Sequence, residues 1–79
     1  MDIHIDAHIG NRLRRRRMLL RLTQRQLAVA IGVRFQQIQK YEFGSNKISA
    51  SRLWLIAKAL DVPVGYFFEG LESRRPQVA

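Results

Sequence analysis

The chain has no cysteine. No disulfide and no thiolate–zinc site can therefore staple it. Only two histidines remain as soft metal ligands. His4 and His8 are four residues apart, but a metal would need two further ligands, so both are expected as plain surface groups. Acidic residues are scarce: six Asp and Glu stand against 14 Lys and Arg, for a net charge of +8. That imbalance points to a polyanionic partner, nucleic acid before a membrane surface. No apolar run approaches the roughly 18 residues of a membrane span, and the N-terminus lacks the apolar core of a signal peptide. A soluble, cytoplasmic protein is expected. There is no nucleophile–base arrangement and no phosphate-cradling loop, and Ser45, Ser49, Ser51 and Ser73 read as cap or loop serines. The chain is expected to be neither an enzyme nor the holder of a cofactor.

What is present is helical patterning. Seventy-nine residues make one small domain with a marginal core. No segment reads as a strand, and there is no repeat. Residues 1–6 are expected as a flexible arm, 7–71 as the folded domain and 72–79 as a basic tail carrying Arg74 and Arg75. A first helix is expected from about Ala7 to Leu20, with Ile9, Leu13 and Leu20 on one face. Thr23 and Gln26 have the spacing of a capping box that opens a helix over Gln24–Ile31. Gly32 stops it. A third helix spans Phe35–Phe43, with Ile38 and Tyr41 inward, and Gly44 closes it. Ser49 caps a fourth helix bearing Leu53, Ile56, Ala57 and Leu60 on one stripe. Pro63 suits the first turn of a short fifth helix holding Tyr66, Phe67 and Phe68. The fold expected is an all-α, compact bundle of five short helices.

The informative stretch is 23–44. Ala28 is small where two helix axes cross closely. Gly32 provides the left-handed turn between the helices, and Val33 and Ile38 plug the wedge. With Thr23, Gln24, Leu27, Tyr41, Glu42 and Gly44 in register, the stretch resembles the helix-turn-helix of phage repressors and Cro, the XRE family. The likeness extends to Ile9-Gly10-x-Arg12-Leu13 before it and Ala57-x-x-Leu60-x-Val62 after it.

The resemblance implies a lambda-repressor-like, DNA-binding fold and a homodimeric transcriptional regulator on a double-stranded operator, located on the nucleoid. Two recognition helices would enter major grooves about 34 Å apart. The helix from Phe35 would read bases through Arg34, Phe35, Gln36, Gln37 and Lys40. Glutamine amides suit adenine, and Phe35 could meet a thymine methyl. Gln24, Arg25, Asn46 and Lys47 would hold phosphates. Arg17 would pair with Glu42 and tie the recognition helix to its scaffold. Phe67, Phe68 and Leu71 either close the core or project into a dimer contact.

Arg34 stands where this family usually has a small capping residue, and Arg21 replaces the usual helix-ending glycine. Arg16 occupies a commonly apolar position, where its stem would cover the core while its head reaches water. Arg14–Arg17 spread around a helix, so most of the run reads as a solvated face. A membrane-surface reading of residues 12–22, where Met18, Leu19, Leu20 and Leu22 cluster, is set aside because the leucines are needed in the core. The rival of another class is a protein-interaction module, such as an antitoxin or co-regulator, on the same fold. An RNA-binding regulator is a weaker rival.

Overall fold

The first turns of two internal helices are stabilised as the sequence predicts. Thr23 Oγ1 accepts from the Gln26 amide at 3.0 Å, and Gln26 Oε1 accepts from the Thr23 amide at 2.8 Å. Ser49 Oγ accepts from the Arg52 amide at 3.1 Å. In the computed structural model, residues 3–71 are described. They form α1 (Ile3–Leu19), α2 (Gln24–Ile31), α3 (Phe35–Phe43), α4 (Ala50–Leu60) and a closing 3-10 helix (Val64–Phe68). Gly32 and Gly44 end α2 and α3 with positive φ. The last element is thus a 3-10 helix preceded by extended Pro63, rather than a fifth α-helix with Pro63 inside its first turn.

Helix α1 begins earlier than its sequence pattern suggests. Ile3–Ala7, part of the expected arm and its junction with the first helix, are helical. Tertiary contacts account for the extension. The Ala7 backbone lies against Gly44, where an added Cβ would sit 2.8 Å from Ala7 Cα. Asp6 lies in the favourable first turn and meets Lys47 Nζ at 3.4 Å. Residues 1 and 2 of the expected arm, and the whole expected tail 72–79, lie outside the described residues.

Leu13, Leu27, Ile38, Ile56, Leu60 and Phe67 are fully buried and form the centre of the core. Helix α1 packs on α3 and on the 3-10 helix, while α2 packs on α3 and α4. Leu20 does not join the core. Helix α1 ends at Leu19, and Arg21 turns the chain with a φ of +58°, so Leu20 faces out and Leu22 packs inward. Met18 and Leu19 are exposed as well. The core therefore needs only Leu22 of those leucines, contrary to the expectation for all three. No helix of the described residues is long and apolar enough to cross a membrane.

Of the glycines, Gly10 sits in the tightest place. A Cβ there would lie 2.2 Å from the Tyr41 carbonyl oxygen and 2.7 Å from that of Glu42. A glycine inside a helix normally costs about 1 kcal/mol against alanine. Here it lets α1 lie directly on the end of α3. The reverse situation holds at Arg21, where a side chain occupies left-handed backbone at a cost of about 1–2 kcal/mol. Two substitutions should therefore move stability in opposite directions. Gly10→Ala is expected to lower it by about 1–3 kcal/mol or more. Arg21→Gly should raise it by up to about 1 kcal/mol, with a Tm gain of a few degrees. Thermal melts followed by circular dichroism test both, and a Gly10→Ala variant melting with the parent protein would refute the close crossing.

Candidate nucleic-acid interface

The helix-turn-helix is held at three points. Ala28, 3% exposed, sits at the α2–α3 crossing, and Gly32 takes the left-handed turn with a φ of +74°. The Val33 amide donates to the Ala28 carbonyl at 3.0 Å, which closes α2 against the turn. Arg34 then begins α3 from extended backbone without a side-chain cap bond.

Helix α3 is anchored from behind by an ion pair. Arg17 Nε donates to Glu42 Oε2 at 2.5 Å, and Arg17 Nη2 donates to Glu42 Oε1 at 3.0 Å. The two side chains are only 11% and 4% exposed. Arg17 Nη1 also donates to the Leu22 carbonyl at 2.7 Å. Gln24 Nε2 donates to Glu42 Oε1 at 3.0 Å. Both carboxylate oxygens are thus satisfied, and the pair joins α1, the α1–α2 turn, the start of α2 and the end of α3. Gln24, expected at a phosphate, has one amide hydrogen engaged with Glu42 and one left for another acceptor.

The outward face of α3 differs in part from the expected set of base readers. Arg34, Gln36 and Lys40 are exposed, and Gln37 is partly so. Phe35 does not point outward. It packs against the core, and the Arg25 guanidinium lies over its ring, 4.0 Å from the centroid. Gln36, Lys40 and Phe43 share one face by the helical period, and Gln39 borders it. Phe43 is 86% exposed. In the loop after α3, Asn46 is half-buried, while Lys47 is exposed and lies near Asp6.

Three features escaped the sequence reading. Arg52 lies beside Arg34, Gln36, Gln37 and Lys40 around a concavity, and its Nη1 donates to the Tyr41 hydroxyl at 3.5 Å. An open groove of about 720 Å³ runs between α1 and α3, walled by Asn11 and Arg14 on one side and Lys40 and Phe43 on the other. The helical spacing of Phe43 from Gln36 was the available signal for that wall. Finally, the arginines of α1 divide by role. Arg12 donates to the Tyr66 carbonyl at 2.9 Å, pairs with Glu69 at 2.8 Å and covers the Tyr66 ring. Arg16 Nε donates to the Leu60 carbonyl at 2.9 Å, at the end of α4. Its head is therefore bound to backbone, not released to water. Arg14 and Arg15 remain exposed.

Phe67 is fully buried, so it closes the core and presents no surface to a second copy. Phe68 is exposed and Leu71 is half-buried. His8 is held to the 3-10 end, its Nε2–H donating to the Glu69 carbonyl at 2.6 Å.

This geometry agrees with comparison to known proteins. Residues 13–67 match the helix-turn-helix family HTH_3. The chain belongs to that family. A transcriptional regulator in the ATPase CF(0) region of Rhodospirillum rubrum is 62% identical over 74 residues, covering 94% of this chain and 68% of the relative. An HTH-type transcriptional regulator of Sinorhizobium medicae is 52% identical over 65 residues, covering 82% of this chain and 47% of its own length. The chain thus spans about two thirds of the first relative and about half of the second. Among solved structures, the restriction-modification controller protein C.AhdI of Aeromonas hydrophila superposes with a TM-score of 0.76 at 29% identity. That match covers 78% of this chain and 94% of the controller. The clp gene regulator ClgR of C. glutamicum gives 0.78 at 26% identity, covering 81% and 83%. The all-α bundle of this HTH_3 chain is therefore that of HTH-type transcriptional regulators.

The ion pair makes a sharp stability test. Glu42→Ala would leave Arg17 buried without its partner and should destabilise the domain by about 3–5 kcal/mol. Gln24→Ala removes one neutral donor and should cost about 1 kcal/mol. Urea titrations of the two variants measure the contrast, and equal midpoints would show that Glu42 carries no special burden.

Proposed function

We propose that the protein is a lambda-repressor-like, sequence-specific binder of double-stranded DNA that acts as a homodimeric transcriptional regulator. The observation that carries this reading is the division of α3. Its inner face is fixed by Ile38, Tyr41 and the Arg17–Glu42 pair, while Gln36 and Lys40 stand exposed on its outer face. A rigid helix with polar donors on its free side suits the major groove. Gln36 has the amide chemistry to bond adenine N6 and N7, and Lys40 and Arg34 can reach guanine. Gln37, half-buried beside Arg52, is the less accessible of the two glutamines.

Phosphate contacts are assigned to Gln24, Arg25, Asn46 and Lys47. Gln24 would offer its second amide hydrogen from a position set by Glu42. Arg25 would be held in place by the Phe35 ring beneath it. The net charge of +8 supports sequence-independent attraction, and the outer face of α3 supplies the discrimination. The names of the two similar structures, a controller protein and a gene regulator, support the regulatory reading. On it, the protein works in the cytoplasm on the nucleoid.

The dimer contact is assigned to α4 and the 3-10 helix. Trp54, Leu55 and Phe68 are 52%, 42% and 41% exposed, on two elements that pack together. Large apolar side chains at a surface of this kind suit a twofold contact, in which the same patch serves both partners.

Selection from a random duplex library at about 150 mM salt tests the whole reading, since non-specific attraction is weakened there. Two inverted half-sites spaced by about ten base pairs are expected. Gln36→Ala should cost about 1–3 kcal/mol on the selected site and relax preference at one base. Trp54→Asp and Phe68→Asp should shift sedimentation from dimer to monomer. A wild-type protein that enriches no sequence would refute base reading.

A further inference from the structure

We propose that the groove between α1 and α3 is a second DNA contact, in which Phe43 meets a thymine methyl and Asn11 and Arg14 hold the adjoining phosphate. The proposal rests on the duplex-binding reading above and extends it from the helix-turn-helix onto α1.

Phe43 is the starting point. A single exposed apolar side chain needs no explanation by itself. Phe43 differs because it continues the outward stripe of Gln36 and Lys40, and because it is 86% exposed in a strongly basic chain. It also walls a groove whose facing side is built by Asn11 and Arg14. Those two residues lie three apart on α1 and so share a face. Helix α1 comes this near only because Gly10 lets it rest on the Tyr41 and Glu42 carbonyls.

The electrostatics of the groove favour an anion. Arg14 and Lys40 stand on its two walls. Glu42 also borders it, but its carboxylate is 4% exposed and already binds Arg17 and Gln24. The accessible charge is therefore positive. An aromatic ring beside a guanidinium and an amide matches a nucleotide with an apolar base substituent and an anionic backbone. Thymine offers that combination through its C5 methyl. Phe43 is seven residues from Gln36, about 10 Å along the helix. At roughly 3.4 Å per step, the thymine would lie at most about three base pairs from the base read by Gln36.

The test uses the duplex recovered by selection, with binding read by fluorescence anisotropy. A thymine preference is expected at the position flanking each half-site. Replacing that thymine with deoxyuridine removes only the methyl and should weaken wild-type binding about fourfold. Phe43→Ser should bind the thymine and uracil duplexes equally. Arg14→Ala should lower the slope of log K against log salt by about 0.9. Both side chains are exposed, and matching thermal melts would verify that the variants fold. A flank without thymine preference, a Phe43→Ser variant that keeps the fourfold penalty, or an unchanged salt slope in Arg14→Ala would each overturn the proposal. Those failures leave intact the selective binding that supports the main reading. A wild-type protein that selects no duplex overturns both.

Discussion

The orientation of the third helix depends on one nearly buried charge pair. Arg17 and Glu42 meet where the second half of α1 reaches the end of α3. Two ions removed from water in this way are stabilising only when their remaining donors and acceptors are filled. Here every nitrogen of the guanidinium and both carboxylate oxygens have a partner: Arg17 also serves the Leu22 carbonyl, and Glu42 also takes the Gln24 amide. An apolar pair of similar volume would fill the space. It would not impose the direction that a guanidinium fork imposes on a carboxylate. The ion pair thus sets register among α1, α2 and α3, and the outer face of α3 inherits its aim from that register.

Most of the fold was legible in the sequence because local signals agreed with one another. The Thr23–Gln26 box, Gly32, Gly44 and Ser49 mark boundaries that the structure reproduces for α2, α3 and α4. Such signals act within a few residues and need no tertiary information. The two ends of α1 were harder to place. Its start depends on Ala7 fitting against Gly44, a contact between residues distant in the chain. Its finish depends on Arg21 in left-handed backbone, a position where arginine gives no local warning. The candidate site was legible to the same degree. Periodicity identified which α3 residues can face out, but Phe35 was drawn inward by the core and by Arg25 stacked on its ring.

The arginine run shows why net charge alone describes this molecule poorly. Of the five arginines on α1, three bind backbone carbonyls or carboxylates of other elements. Arg16 completes the end of α4, where unpaired carbonyls and the helix dipole favour a cation. Arg12 fastens the 3-10 helix, and Arg17 fastens α3. A domain without cysteine thus uses charged side chains as long-range ties. The cations left exposed are fewer than the composition suggests. Arg14, Arg34 and Lys40 are among them, on or beside the face that α3 presents.

The two phenylalanines of α3 carry the same argument to single residues. Phe35 and Phe43 bracket the helix, with identical chemistry and opposite environments. Phe35 lies toward the α2 side, where Val33 and the core offer apolar cover. Phe43 lies at the end that α1 approaches most closely. There the backbone of Ala7 packs against Gly44, and Gly10 rests on the Tyr41 and Glu42 carbonyls. Main chain fills the inner space, so an aromatic ring has room only on the outside. The tight α1–α3 crossing that fixes α3 therefore also displays Phe43 beside Arg14, and one steric constraint shapes both the inner and the outer face of that helix end.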